Sequence, residues 1–428
     1  MRILLVTRKF PPHAHGGAEI YAYHLAQALR VRHKVAVFYR HDDANAGDGP
    51  SWAEYDEDTD GIPTRRVSSP PSGLGASVAG EFFHTFLNRR IEVSFDRFVA
   101  QFQPDLIHVQ QVSALSARLL PLARQAGVPL VLTLHDYWFE CNNSQLLWPD
   151  GRPCQGKAWG LNCVRCAAAA RFPVPLATLL RPILAPLFLY RNHVVRRAAL
   201  QADQFVAPSR FLRDEYAAAG LPVDRLLYLE NGIPLDRIRR FPRQPSTGTL
   251  RIAFIGALAW HKGVHVLAEA FRGLVPGTAR LRIWGDPAQF PDYVQEVRQL
   301  LSDSNGELMG PIANERVGEA LADSDVLVVP SLWYENSPVV IQEAWTAGVP
   351  VVASGHGALA EKVHDGVDGL HFAPGDAPAL RQVLQRLVDE PDLLPRLRAG
   401  IQSPLDITAH TRQLEAIYER LLVARETA

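Results

Sequence analysis

Short apolar runs rich in β-branched residues alternate with amphipathic stretches of helical length along this chain, and the series occurs twice. The first comprises Ile3–Thr7, Lys34–Phe38, Leu106–Val109, Leu130–Leu134, Phe205–Ala207 and Leu226–Leu229. The second comprises Ile252–Ile255, Leu281–Trp284, Val326–Val329 and Val351–Ala353. Runs that are apolar at consecutive positions, spaced by helices, are what a parallel sheet covered on both faces requires. Between the series, Pro234 to Thr249 contains Pro242, Pro245, Ser246 and Gly248 and reads as a linker. A chain of 428 residues exceeds one ordinary core and suits two domains. The expected fold is α/β, with two Rossmann-like domains facing across a cleft. The boundaries expected are 1–233, with a Cys-rich insertion at 138–170, a linker at 234–249, a second domain at 250–405 and a terminal helix at 406–428. Ligands of such sheets bind beyond the carboxyl ends of the strands.

Hydrophobic content of 47%, charged content of 21% and a formal charge of −1 fit a soluble globular protein and give no reason to expect a nucleic-acid partner. Met1-Arg2 runs directly into Ile3-Leu4-Leu5-Val6, which reads as a buried first strand rather than an export segment, so a cytoplasmic location is expected. Phe172 to Tyr190 is apolar, but Arg181 interrupts it, and Pro173, Pro175, Pro182 and Pro186 are expected to break any helix there. Two readings stand: an irregular buried excursion, or a peripheral contact with the inner face of the plasma membrane. In the second, Arg171, Arg181, Arg191, Arg196 and Arg197 would face lipid phosphates.

The segment Ser331 to Glu343 carries the most chemistry. The apolar run Val326–Val329 leads into Glu335, and Glu343 follows eight positions later. Pro338 suits the start of a helix, where its missing N–H is no loss. A strand, a tight loop and a helix N-terminus form an anion site, for phosphate above all. Glu335 would be an exposed carboxylate on the loop above the phosphate, with Glu343 two turns down the helix.

This arrangement resembles the E-x7-E element of the retaining, GT-B type glycosyltransferases of family 4. Ile252 to Gly263 is similar to the family's strand, glycine turn and phosphate lysine, here Lys262. Ala347 to Ser354 and Glu361 to Leu370 follow in the family's order. Phe10-Pro11-Pro12 with Gly16-Gly17-Ala18-Glu19 resembles its first strand–helix loop, and Asn231-Gly232-Ile233 the segment before its second domain. The resemblance implies that the last helix crosses back onto the first domain. His410 to Ala424, with Leu414, Ile417, Tyr418 and Leu421 on one face, is placed to do so. Two departures stand out. Ala257 occupies the position of an arginine that usually accompanies the lysine, and Ser337-Pro338 replaces a common Phe-Gly pair.

The site residues follow. Gly16 and Gly17 let backbone approach the donor and leave N–H groups free. Lys262, one of five lysines, meets the diphosphate as a compact charge with three donors. Pro338 donates nothing, so sugar and phosphate contacts fall to the amides of Asn336, Ser337, Val339 and Val340. Glu335 holds donor-sugar hydroxyls and Glu343 the ribose. His135, at the end of Leu130–Leu134, matches a family position near the reaction centre; Asp136 either orients its ring or contacts the acceptor. Gly355-His356-Gly357-Ala358-Leu359-Ala360 imitates a dinucleotide fingerprint and Asp323-Ser324-Asp325 a metal-binding D-x-D, but the first falls late in a domain whose crevice is already assigned and the second runs into a buried strand.

All four cysteines, Cys141, Cys154, Cys163 and Cys166, lie within 26 consecutive positions, with Gly151, Gly156 and Gly160 among them. In a reducing compartment they read as a structural four-thiolate zinc site. Two disulfides, a redox pair, an iron–sulfur cluster and unconnected thiols are the alternatives. The resemblance implies sugar transfer from a nucleoside-diphosphate sugar to a hydroxyl of a glycan or lipid-linked glycan, in cell-surface polysaccharide synthesis, with no cofactor required for the chemistry. An epimerase or phosphorylase on the same scaffold, or a non-catalytic adaptor, are the rival readings.

Overall fold

The first apolar run becomes the centre of a sheet. In the computed structural model, which describes residues 1–14, 16–42, 52–69, 82–168, 174–245 and 248–426, β1 (Arg2–Val6) pairs in parallel with β2 (Lys34–Asp42) on one side and β5 (Leu106–Val109) on the other. The sheet continues through β6 (Leu130–Thr133), β7 (Gln204–Ala207) and β8 (Leu226–Tyr228) at one edge. At the other edge stand β4 (Ile62–Ser69) and β3 (Ala53–Thr59), giving the order β3-β4-β2-β1-β5-β6-β7-β8. The second sheet is wholly parallel and runs β11-β10-β9-β12-β13-β14. Its strands are β9 (Leu250–Ile255), β10 (Ala279–Trp284), β11 (Gly306–Gly310), β12 (Val326–Val329), β13 (Val351–Ser354) and β14 (Gly369–Phe372). The winding reverses direction between β1 and β5 in the first sheet and between β9 and β12 in the second. These are the switch points where adjacent loops diverge and leave a crevice.

The chain divides into Met1–Glu230 with Ile407–Ala428, and Asn231–Asp406. Residues 231–245, within the proline-rich stretch and just before it, pack on the second unit: Arg237 reaches Asn314 and Glu343, and the Gln244 amide donates to the Ala322 carbonyl. Ser246 and Thr247 lie outside the described residues, as does Arg171.

Besides β11 and β14, which were not among the expected strands, three features differ from the sequence expectation. The β3–β4 hairpin was not legible as apolar runs, because its strands are charged. Its turn, Asp60-Gly61, has positive φ at both residues, 50° and 78°, the backbone that a two-residue hairpin demands. Cross-strand ion pairs of Arg65 with Asp56 and of Arg66 with Glu57 line it. Second, prolines do not break the segment before Tyr190: Val174–Ala199 is one helix with Pro182 and Pro186 inside it. Third, Arg191 does not face lipid. It is fully buried, with its guanidinium over the Trp138 ring and Nη2 donating to the Trp138 carbonyl. Among the described residues no helix is long and apolar enough to cross a membrane.

The last helix, Ile407–Glu426, packs on the first unit through buried Leu414 and Tyr418. Polar contacts fix its rotation: Tyr21 hydroxyl to His410 Nε2 at 2.6 Å, His33 Nε2 to Glu415 Oε1 at 2.8 Å, and His108 Nδ1 to Tyr418 hydroxyl at 2.6 Å. Burial pushes His108 down to about 3 and His410 down to about 4. Both are therefore neutral in the folded unit, while the unfolded chain takes up protons near 6.5. The unfolded state binds more protons between those values, so stability is full above about pH 6.5 and falls as the pH drops toward 4. The melting temperature of the first unit should decline over that window, and His410→Gln should flatten the slope. An unchanged slope in that variant would exclude His410 as a contributor.

In the second unit, Gly263 adopts φ +69° between the turn Trp260–Lys262 and the helix Val264–Arg272. A Cβ there would lie 1.9 Å from the Pro330 carbonyl oxygen, at the exit of β12. Gly263→Ala combines a left-handed backbone with a collision against main chain and should cost about 2–4 kcal/mol. Chemical denaturation of the variant measures it; a loss within 0.5 kcal/mol, roughly the scale of a neutral surface change, would contradict the packing described.

Candidate active site

At the second switch point, β9 and β12 each end in a loop, and a main-chain bond joins the loops: the Leu332 amide donates to the His261 carbonyl at 2.8 Å. That bond sets two side chains against each other. Lys262 Nζ donates to Glu335 Oε1 at 2.7 Å, and Ser331 Oγ donates to the same oxygen at 2.6 Å. Glu335 is thus not an exposed carboxylate, since it is only 5% accessible. Burial pushes its carboxyl up, but the Lys262 charge and hydrogen bond, together with Ser331, outweigh this and hold it below the usual carboxylate range. The ammonium of Lys262 also lies 4.9 Å from the centre of the Trp333 ring. His261 is pushed down to about 4 by burial and by Lys262 beside it, and His356, lowered by burial, bonds the Ser331 carbonyl through Nε2 at 3.1 Å. Neutral histidines therefore flank the ion pair.

Beyond Glu335 the chain enters the helix Val339–Thr346, with Pro338 as its N-cap and no side-chain cap. The amides of Val339 and Val340 open the first turn, where no intrahelical acceptor exists for them. Asn336 is buried and Ser337 half-buried beside this turn. Lys362, at the end of the helix Gly357–Lys362, donates to Ser337 Oγ at 3.2 Å. Sequence reasoning passed over Lys362; its signal was rarity, as one of five lysines. Ala257 is exposed beside the glycine turn. Glu343, just over one turn into the helix rather than two, is buried and ion-paired with Arg237; burial pushes its carboxyl up against the pull of that guanidinium. Arg237 in turn holds Asn314, so Glu343 is fixed from a segment that read as linker.

The D-x-D lookalike stands at the opposite end of the strands. Asp325 is bound by Arg243, Arg251 and Arg398, and Asp323 by Arg251, Arg280 and Arg282. These carboxylates neutralise arginines.

In the first unit, Gly16 caps the helix Gly17–Leu29. Its amide is not free, because it donates to Glu19 Oε2 at 3.1 Å; both glycines remain exposed. His135 follows β6, half-buried, with its ring 5.3 Å from that of Tyr21. Its Nε2 bonds Gln110 Oε1 at 2.7 Å, and Gln110 Nε2 lies 3.0 Å from His108 Nε2. An amide oxygen accepts, so His135 carries its proton on Nε2, and His108, accepting from Gln110, donates from Nδ1 to Tyr418. The chain of bonds ties His135 to the terminal helix, and burial followed by the charge of His410 lowers it to about 3. Asp136 accepts from the Trp138 amide at 2.8 Å, which makes it a turn-former for the segment after His135. Gln110 was missed because a lone glutamine after a strand has no sequence signal.

That segment carries the cysteines, all free and half-buried. Among the described residues no three His, Cys, Asp or Glu side chains stand at the spacing of a metal site.

Known proteins resemble this chain along most of its length. Residues 15–237 match the family described as Glycosyltransferase Family 4, and residues 249–390 match Glycosyl transferases group 1. The glycogen synthase of Mycobacterium tuberculosis is 25% identical over 402 residues, covering 91% of this chain and 87% of that protein. The amylovoran biosynthesis glycosyltransferase AmsK of Erwinia amylovora is 29% identical over 240 residues, covering 53% of this chain and 58% of AmsK. Among solved structures, the sucrose-phosphate synthase of Thermosynechococcus elongatus aligns with a TM-score of 0.70 at 20% identity over 99% of each chain. Anabaena HepE in complex with UDP and glucose aligns at 0.68 and 18% identity, over 97% of this chain and 99% of that one. The fold is that of the GT-B glycosyltransferases, and the protein is a glycosyltransferase belonging to family 4.

Proposed function

We propose that the protein transfers a sugar, with retention at the anomeric carbon, from a nucleoside-diphosphate sugar to a hydroxyl of a growing polysaccharide or lipid-linked glycan. The observation that carries this reading is the Lys262–Glu335–Ser331 cluster beside the uncapped start of Val339–Thr346. Uncapped amides and a lysine suit a diphosphate. The UDP held by HepE and the glycogen and amylovoran names of two relatives support a nucleotide donor and a polysaccharide product.

Each residue has a role that follows from its surroundings. Lys262 has three N–H donors; one is committed to Glu335, which aims the ammonium before donor arrives, and the others remain for phosphate oxygens. Glu335 accepts from a donor-sugar hydroxyl while its charge is held by Lys262. Glu343, braced by Arg237, takes the ribose hydroxyls. Lys362 beside Ser337 supplies positive charge that the family's arginine would have given at Ala257. Gly16 and Gly17 allow close approach of the first loop, and neutral His135, proton on Nε2, offers its ring to the transferred sugar. Catalysis rests on stabilising the departing diphosphate and on positioning, with no metal at the chemical step.

Glu335→Gln should keep most of the stability and lower turnover by about 10²–10³-fold, the scale for one lost electrostatic contact in the transition state. Glu335→Ala should in addition destabilise by about 1–3 kcal/mol, less than a fully buried broken pair because Lys262 retains contact with water. Wild-type turnover in the glutamine variant would remove Glu335 from the site.

Lys262→Ala should raise the barrier by about 2–4 kcal/mol, and Ala257→Arg should soften that loss. The readout is retention of anomeric configuration and product formed from UDP-, GDP- and ADP-sugars with a lipid-linked acceptor pool. Equal damage with and without Ala257→Arg would contradict the compensation, and sugar release that needs no acceptor would favour an epimerase or phosphorylase.

A further inference from the structure

The helix Val174–Ala199 faces the wrong way for a helix in water. Its buried side carries Ala185, Phe188, Val195 and Ala198, with the Arg191 guanidinium among them. Phe188 meets the Phe82 ring there, edge to face, at 5.0 Å between centroids. Leu179, Ile183, Pro186, Tyr190, His193 and Arg197 recur every three or four positions and so share the opposite side. All six are exposed, Leu179 at 71% and Ile183 at 68%. A surface helix places polar residues at such positions. Single apolar residues on a surface need no explanation, but a continuous row does.

A tryptophan stands beside this row. The turn before the helix Leu161–Ala168 holds Trp159 out at 82% accessibility, with Ala158 and Trp159 both left-handed at φ 43° and 56°. That backbone is costly for residues with a Cβ, and an indole in water offsets none of the cost. A Cβ on Gly160 would lie 2.7 Å from the Ala185 carbonyl oxygen, so the turn is pressed against the apolar helix. The charges around it are of one sign. Gly151 to Ala202 contains eight arginines and lysines and no Asp or Glu, in a chain of formal charge −1. Arg191 is buried and Arg196 is held by the Ala219 and Gly220 carbonyls. Arg197 is exposed, as is Arg165 on the neighbouring helix. Two copies paired through this face would set cations against cations with no carboxylate between them. Anionic headgroups above acyl chains complement both the apolar row and its charge.

We propose that this face of the first unit docks on an anionic lipid bilayer, with Leu179, Ile183, Tyr190 and Trp159 inserted and Arg165 and Arg197 at the level of the lipid phosphates. The helix lies in the plane of the interface, since none among the described residues is long and apolar enough to cross a membrane. Tyrosine and tryptophan suit that boundary, because each joins an apolar ring to a polar tip. From its other side the same helix sends Arg191 to the Trp138 ring and carbonyl, three positions beyond His135. The docked face and the segment leaving His135 are thus one packed piece of the first unit.

The test is cosedimentation of the full chain with vesicles of phosphatidylcholine alone and of equal parts phosphatidylcholine and phosphatidylglycerol. Binding is measured without a sugar donor, so it succeeds or fails independently of the transfer proposed above. It should favour the mixed vesicles and weaken as salt is raised. Ile183→Asp and Trp159→Ser should each lower partitioning onto mixed vesicles by about 10–100-fold, the factor for withdrawing one large apolar side chain from hydrocarbon. Arg197→Glu should reduce the preference for phosphatidylglycerol. Val31→Asp changes a residue of 79% accessibility elsewhere on the same unit and should leave binding unchanged. All four positions are exposed, and melting temperatures equal to wild type show that the variants fold. Sedimentation velocity without vesicles tests for a second copy on this face. No binding to mixed vesicles, binding indifferent to Ile183→Asp or to lipid charge, an equal loss in Val31→Asp, or a dimer that Ile183→Asp separates would each overturn the proposal.

Discussion

Both sheets are parallel except at one edge, and a parallel strand can be reached only by a crossover that covers a face of the sheet. That constraint determines most of the molecule. It demands strands apolar at every position, helices on both faces, and loops of functional residues gathered where the winding reverses. In the second unit the reversal lies between β9 and β12, and the two loops leaving those strands carry Lys262 and Glu335. In the first it lies between β1 and β5, with Gly16 and Gln110 in the loops that follow. The position of these candidate residues is a property of the sheet order before it is a property of any side chain.

Within the second unit the charges are arranged by depth. At the amino ends of the strands, Asp323 and Asp325 are saturated by arginines and serve packing. At the carboxyl ends the balance is looser. Glu335 is satisfied by Lys262 and Ser331, whereas the amides opening Val339–Thr346 have no cap. In the proposed function, a carboxylate that keeps a lysine aimed without consuming all its donors would limit the reorganisation needed when an anion arrives. Gly263 belongs to the same design, because only a residue without Cβ lets the lysine turn pass under the Pro330 carbonyl.

The first unit fixes a histidine that stays neutral near neutral pH. His135 is held by Gln110, Gln110 by His108, and His108 by Tyr418 on the terminal helix. Burial keeps His108, His135 and His410 neutral. The terminal helix is therefore more than a cover for apolar surface. It supplies the last hydroxyl in a chain that sets the tautomer of His135.

Patterning alone determined the two series of buried strands and the helix after Pro338, because each rests on local rules of strand burial and N-terminal geometry; Lys262 and the E-x7-E element were singled out by resemblance to the family. The charged β3–β4 hairpin escaped that reading, since its strands are stabilised by cross-strand ion pairs and lack an apolar face, although Asp60-Gly61 marked its turn. The proline-containing helix Val174–Ala199 escaped it too, because tertiary context can hold a helix through two missing donors. Only the tertiary structure decided that Glu335 is buried and paired, that the Gly16 amide is already taken, that Arg237 reaches Glu343 from the supposed linker, and that Arg191 turns inward against the Trp138 ring. Each of these is an electrostatic partnership between residues 3 to 106 positions apart. Sequence records which charges a chain carries; distance and burial, which decide how those charges interact, exist only after folding.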